Sequence, residues 1–182
     1  MKSFRNIVVL KRSQQELWTI MRDHLITFSG SIADIAEVRE LARTTDGDGV
    51  VHIVNEWRAR QQIPAAIRAI LKTDDVSWTD RNTWDAACHT CRWTIEPGFL
   101  AEHIACSGQT VFAAAMAGQG TRVTFEGELE FKPGMLGSSL GGVERLLSGF
   151  IESIVTTVIP RNLRAVVEAA ASFELPPTGP AN

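Results

Sequence analysis

The chain has 182 residues, of which 45% are hydrophobic and 21% charged, and its formal net charge is -3. This length suits a single domain, and the slight excess of acidic residues predicts no basic surface for nucleic acid. The first residues lack the apolar run of a secretory signal, and three cysteines are an odd number, so we expect reduced thiols in a cytoplasmic protein. We predict one domain over residues 1–174 and a disordered, proline-containing tail over 175–182.

Alternating and β-branched segments predict about six or seven strands. In chain order these segments cover residues 4–12, 35–45, 50–60, 76–86, 88–96, 100–117 and 122–132. The last of them has the clearest alternation, with Val123, Phe125 and Leu129 on one face and charged residues on the other. Such alternation is typical of an antiparallel sheet that is covered on one side only.

Two short helices are predicted between the strands. Ser13 and Glu16 form a capping box that begins a helix containing Trp18, because their side chains can satisfy the free amides of its first turn. Residues 63–72 have apolar positions at helical spacing. The second helix lies in a basic corner of the sequence that contains Arg58, Arg60, Arg68 and Lys72.

The widest apolar stripe of the chain runs over residues 140–173 and predicts a long C-terminal helix. We expect a bend at Pro160, because proline removes a backbone donor and crowds the preceding turn. A stripe this broad needs a broad partner, which a curled sheet supplies. We therefore predict an α+β fold: a curved antiparallel sheet of about six or seven strands wrapped around the C-terminal helix, with a cavity between them.

This layout resembles the START-like, Bet v 1-like superfamily, also called SRPBCC or helix-grip. The likeness rests on the strand Val8-Val9-Leu10 running into a capped helix with Leu17-Trp18, on the hairpins, and on the helix at 140–173. A narrower likeness to PRELI lipid-transfer proteins rests on Asn55-Glu56-Trp57, then Ile63-Pro64 and an apolar helix. Members of the superfamily mostly bind apolar molecules, and some are cyclases or hydrolases. The resemblance implies a cavity for a hydrophobic ligand, and we expect no cofactor.

The segment around Pro97-Gly98 supplies candidate polar groups for that cavity. A two-residue turn there places Glu96 opposite Phe99 and His89 opposite Cys106. His89 and Glu102 then lie on the more apolar face, where isolated polar groups can orient the polar end of a ligand. The alternative is that both lie at the wet rim of the sheet without a role.

We expect the ligand-binding side chains to be aromatic, apolar or isolated polar groups on the inner face. They are Asn55, Trp57, Trp78, His89, Trp93, Glu102, Phe150, Ile154 and Val158. The apolar residues of the helix in the basic corner would form a lid over the cavity: Ile63, Ile67, Ile70 and Leu71. Its basic residues would allow transient contact with anionic membrane lipids. The alternative is an ordinary helix packed on the sheet edge.

The cysteines and a nearby histidine have a spacing that suggests zinc ligands: Cys88, Cys91, His103 and Cys106. However, residues 88 and 91 of one regular strand point to opposite faces. This geometry favours small thiols in the core over a metal site.

Three functions fit this sequence. The first is binding or carrying a hydrophobic small molecule or lipid. The second is a polyketide cyclase or aromatase-like reaction in the same cavity, with His89 or Glu102 as acid or base. The third is an interaction module whose interior is filled by its own side chains.

Overall fold

A computed structural model describes residues 2–60, 63, 65–71, 73, 75–132, 145–146, 149–151, 153 and 159–175. The strands are β1 (Lys2–Leu10), β2 (Ile35–Thr45), β3 (Val51–Ala59), β4 (Ser77–Asp85), β5 (Thr90–Pro97), β6 (Ile104–Ala115) and β7 (Gly120–Phe131). The α-helices are α1 (Gln14–Asp23), α2 (Leu25–Ser29), α3 (Ala65–Leu71) and α4 (Ile159–Ser172). Residues 145–146, 149–151 and 153 are also helical. None of the described helices combines the length and the hydropathy that crossing a membrane requires.

The seven strands form one antiparallel sheet in the order β1-β7-β6-β5-β4-β3-β2, so β1 and β2 are its edges. Its inner face carries large buried side chains such as Ile53, Trp93 and Phe125, because every second residue of each strand points to that side. This confirms the predicted α+β fold with a curved antiparallel sheet.

The helices cover the inner face of this sheet. Ser13 begins α1 as predicted: its Oγ accepts a hydrogen bond from the Glu16 amide at 3.4 Å and donates one to the Glu16 carboxylate at 2.7 Å.

Helix α4 contacts β1, α1 and α2, and buries Val167 and Ala170 completely. It forms the last part of the helix predicted over 140–173. Most of the turn before Pro160, where the bend was predicted, lies outside the described residues, as does the tail beyond residue 175.

Arg12 holds the end of α4. Its guanidinium donates through Nη1 to the carbonyl oxygen of Ala171 at 2.9 Å and to that of Ala170 at 3.5 Å, and it also reaches the carbonyl of Phe173. The last carbonyls of a helix have no partner within it, and a cation there also complements the helix dipole. One side chain therefore ties the C-terminal helix to the segment between β1 and α1.

Replacing Arg12 by alanine should lower the free energy of unfolding by about 2 kcal/mol, because charged hydrogen bonds to the carbonyls at the end of α4 are lost. Urea denaturation would measure the loss, and hydrogen exchange would locate it in the last turns of α4. The matched control is Arg5→Ala, which removes an exposed ion pair with Glu126 and should change stability by only about 0.5 kcal/mol. Equal losses for the two variants would contradict the role of Arg12.

The connection between β5 and β6 corrects the predicted two-residue turn at Pro97-Gly98. Pro97 pairs with Trp78, and the Gly98 amide donates to the carbonyl of Ser77 at 2.8 Å, so both residues continue the pairing with β4. The chain turns later, through Leu100 at φ 51° and a 3-10 helix at Ala101–His103. The turn lies later than predicted because the hydrogen-bonded pairing between β5 and β4 continues past Pro97 to Gly98.

The later turn shifts the register of the whole hairpin. Cys91 lies opposite Thr110 rather than Ile104, a displacement of six residues. Six is an even number, and side chains alternate with period two, so each residue keeps the face it had in the predicted register. Cys91, Trp93 and Cys106 are consequently buried on the inner face as predicted.

Candidate ligand-binding cavity

A cavity of about 220 Å³ lies between the inner face of the sheet and the helices. Its walls are mostly apolar and rich in indole rings. Among the residues predicted to bind ligand, five line it: Asn55, Trp57, Trp78, Trp93 and Phe150. Helix α4 contributes Ile159, Leu163 and Val166 from the opposite side. Ile154 and Val158, also predicted to bind ligand, lie outside the described residues.

His89 and Glu102 are not brought to the cavity. His89 is the last residue of the turn at 86–89 between β4 and β5, where it has φ 49° and its ring packs edge-on against Trp18 at 5.3 Å. Glu102 lies in the 3-10 helix before β6 and is exposed. The predicted register assumed regular strand at both positions. The role of these two residues in orienting a ligand therefore finds no support in the geometry.

The turn at 86–89 also determines the exposure of the first cysteine. Cys88 lies in it and is exposed, which corrects the prediction that all three thiols pack in the core, whereas Cys91 and Cys106 are buried. Within the described part of the chain, no group of three or more His, Cys, Asp or Glu side chains is arranged to hold a metal ion.

The predicted lid lies beside the cavity. Ile63 and Ile67 are buried in a small cluster with Val76, Leu100 and Phe150, and Phe150 itself lines the cavity. The side chains of Ile70 and Leu71 lie outside the described residues. This packing suits a lid and an ordinary edge helix equally, so the lid stays a prediction.

Part of the basic corner is already engaged within the protein. Arg60 donates through Nε to the carbonyl of Ile35 at 2.9 Å, and Arg58 lies 3.8 Å from the carboxylate of Glu37. Contact of this corner with anionic lipids stays a prediction.

Two glycines make room for the Trp93 indole, which lines the cavity. Gly108 and Gly127 lie opposite each other on β6 and β7, and the Trp93 indole occupies the space that their side chains would take. A Cβ atom at Gly127 would lie 2.5 Å from Cη2 of Trp93 and 2.7 Å from Cζ of Phe4. Trp93 also stacks on Phe4 at 6.1 Å and donates through Nε1 to Thr110 Oγ1 at 3.2 Å. The indole is thus held flat against the sheet.

A polar patch, formed by Asn55, Trp57, Asp80 and Asn82, interrupts the apolar lining. Asp80 pairs with Asn55 across β3 and β4, and Asn82 follows two residues later on the same face. Burial raises the pKa of Asp80 to about 6. Four neighbouring groups oppose this rise because they approach the carboxylate and favour its charged form: the side chains of Asn82, Asn55 and Trp57, and the backbone amide of Asn55. Burial thus holds the pKa of Asp80 above the ordinary range of an aspartate.

Unsatisfied hydrogen-bonding atoms concentrate around the cavity. Among the described residues, four buried side-chain nitrogen or oxygen atoms have no well-aligned hydrogen bond. Three belong to residues that line the cavity: Trp57 Nε1, Asp80 Oδ1 and Asn162 Oδ1. Buried polar atoms normally have a partner. Three incompletely satisfied polar atoms therefore lie in the cavity wall.

A charged network lines the cavity between α1 and β2. Asp23 accepts from Arg22 at 2.7 Å and from Arg43 at 3.0 Å, and Arg43 also pairs with Glu40 at 2.8 Å. Partial burial tends to raise the pKa of Asp23, but the hydrogen bonds and charges of the two arginines outweigh it and lower that pKa. Two cations and two anions offset each other here. Asp80 is thus the one unpaired charge among the described lining residues.

Asp80 and Asn82 were not among the residues predicted to bind ligand, although the sequence contains a signal for them. Trp78 was predicted to face inward, and residues 80, 82 and 84 share its face on a regular strand. The alternation from Trp78 would have placed both polar side chains in the cavity.

Comparisons with known proteins support the fold. No protein-family model matches the chain, and no curated protein sequence matches it. Among solved structures, TTHA0849 from Thermus thermophilus has 18% identity and a TM-score of 0.64, with 94% of this chain and 100% of that chain covered. The Zhui aromatase/cyclase from Streptomyces sp. R1128 has 13% identity and a TM-score of 0.63, with 93% and 91% covered. Norcoclaurine synthase from Thalictrum flavum has 11% identity and a TM-score of 0.60, with 93% and 84% covered.

The chain has the START-like, Bet v 1-like helix-grip fold. This confirms the predicted resemblance at the level of the fold, while the narrower likeness to PRELI proteins stays a prediction. In this helix-grip protein the cavity lies between the sheet and the C-terminal helix, where a hydrophobic ligand was expected.

Proposed function

We propose that this helix-grip protein binds a compact, mostly apolar small molecule in the cavity, with the polar end of the molecule at the patch around Asp80. The observation that carries the proposal is an apolar cavity whose unsatisfied polar atoms belong to its own lining. Pockets for small molecules commonly combine apolar walls with a few polar groups that orient the ligand.

The volume of the cavity limits the size of the ligand. At about 220 Å³ it exceeds the roughly 150 Å³ of an engineered cavity that binds benzene, and lies below the roughly 300 Å³ at which typical ligand pockets begin. A molecule with one or two rings fits this space better than a lipid with two acyl chains. An empty volume of this size also argues against an interior filled by the protein's own side chains.

Native mass spectrometry before and after organic extraction tests the proposal: we expect a co-purifying molecule that extraction removes. A cavity-filling variant, Cys106→Phe, should reduce the bound fraction at least about tenfold, because Cys106 lines the cavity. Ser107→Phe is the matched control, since the next residue is exposed on the other face and should retain the ligand. Equal occupancy in both folded variants would contradict the cavity as the binding site.

An enzyme that uses the same cavity is the second candidate. The observation that favours it is the position of the Asp80 carboxyl group in the cavity lining, where burial raises its pKa to about 6 and so suits it to proton transfer. Two of the structural neighbours are an aromatase/cyclase and a synthase by their names. If the bound molecule leaves the protein with a changed mass, and Asp80→Asn abolishes the change, catalysis is supported. Release of an unchanged molecule supports a carrier function.

A further inference from the structure

We propose that the ligand of this cavity carries a protonated amine whose N–H groups bind the carboxylate of Asp80. This inference rests on the proposed function, because it requires that the cavity binds a small molecule. It names the chemical class of the polar end of that molecule.

The position of the Asp80 carboxylate calls for a hydrogen-bond donor. The Oδ1 atom is buried without a well-aligned partner, and an ionised carboxylate can only accept hydrogen bonds. Its protein neighbours are neutral: the side chains of Asn55, Asn82 and Trp57. These side chains approach the carboxylate with their N–H groups but leave Oδ1 without a well-aligned hydrogen bond, so a ligand group that binds there is expected to be a donor.

The charge of the lining favours a donor that is also a cation. Arg22 and Arg43 are occupied by Asp23 and Glu40, so neither neutralises Asp80. The two cysteines of the lining, Cys91 and Cys106, stay uncharged because burial raises the pKa of both thiols, for Cys106 to about 11. The described lining residues thus carry one net negative charge at neutral pH. An unpaired buried charge is unfavourable, and an ammonium group in contact with it removes that penalty.

Two indole rings share the cavity wall with Asp80. Trp57 and Trp78 stack at 5.7 Å with an angle of 10° between their planes, and both line the cavity. Trp78 precedes Asp80 by two residues on the same face of β4. An amine bound at Asp80 would therefore lie in a wall that also contains these two rings.

A pair of isosteric probes tests this inference by isothermal titration calorimetry: 1-naphthylmethylamine and 1-naphthalenemethanol. The two differ only in the ammonium and hydroxyl groups. After extraction of any bound molecule, we expect the amine to bind wild-type protein at pH 7.5 at least about tenfold more tightly than the alcohol. In Asp80→Asn the preference should fall below about twofold, since the carboxylate is replaced by a neutral group of the same shape. Circular dichroism confirms that the variant is folded.

Glu102→Gln is the matched control, because it removes an exposed carboxylate that does not line the cavity, and it should keep the preference. Equal affinities for amine and alcohol in the wild type, or a preference that survives in Asp80→Asn, would overturn the amine assignment. In both cases binding of the alcohol would leave the proposed function standing. Binding of neither probe would overturn the proposed function and the amine assignment together.

Discussion

Gly127→Val is expected to lower the free energy of unfolding by about 3 kcal/mol or more, a large part of the stability of an ordinary domain. The new Cβ atom would lie 2.5 Å from the Trp93 indole and 2.7 Å from the Phe4 ring, well inside normal contact distance. Trp93 would have to leave its place against the sheet, and the packing of a large buried ring would be lost. Urea denaturation measures the loss.

A double-mutant cycle shows whether the indole is the cause. In the Trp93→Ala background the clash with the indole is absent, and Phe4 loses the ring on which it stacks and can move aside, so the valine should be less harmful there by about 1–3 kcal/mol. Gly108→Ala is the contrasting variant. Its Cβ atom would overlap the backbone carbonyl oxygen of Glu126 as well as the indole, and a shorter side chain at 93 should not rescue it. If Trp93→Ala rescues neither glycine variant, or both equally, the explanation is wrong.

Asp80→Asn is expected to stabilise the protein at pH 8, by up to about 3 kcal/mol, and to flatten the dependence of its stability on pH. The pKa of Asp80 rises from 3.8 to about 6 on folding because burial disfavours the charged form. Below pH 3.8 the carboxyl group is protonated in the folded and the unfolded state, so its favourable contribution to the free energy of unfolding is fully present. That contribution is lost as the pH rises through 6, where the folded state must hold a buried charge.

Denaturation of wild type and Asp80→Asn between pH 4 and pH 8 measures this difference, which should grow with pH. Asp46→Asn is the control, because folding lowers the pKa of Asp46 whereas it raises that of Asp80. The amides of Val50 and Asp48 and the side chain of His52 hold the pKa of Asp46 below its ordinary value, so its charge stabilises the fold above that range. Replacing Asp46 should therefore not stabilise the protein at pH 8. An Asp80→Asn variant less stable than wild type at pH 8 would show that the carboxylate makes a structural interaction instead.

The residues of the sheet could be assigned to strands from the sequence because each strand buries one face. The bounds predicted for β2, residues 35–45, agree with the structure, and the alternation of β7 identified its inner residues Val123, Phe125 and Leu129. The same periodicity placed Trp57, Trp78 and Trp93 on the cavity side. Face assignment needs only local alternation, so it is robust.

Register and turns could not be predicted in the same way, because they depend on partners that are distant in the chain. Pro97-Gly98 has the composition of a tight turn, yet pairing with Ser77 and Trp78 keeps it extended. His89 leaves the strand because the preceding turn ends on it in a left-handed conformation. These two local departures, His89 and the segment that contains Glu102, are the places where the predicted site differs from the structure.

The distribution of tryptophan gives this protein an internal optical reporter. The chain has five tryptophans and no tyrosine, and four of the five line the cavity, while Trp18 packs against Trp84 at 5.0 Å. Intrinsic emission therefore arises almost wholly from the chamber and its margin. Binding of a molecule in the cavity, or a change in the charge of Asp80 beside Trp57, can be followed by fluorescence without attaching a dye.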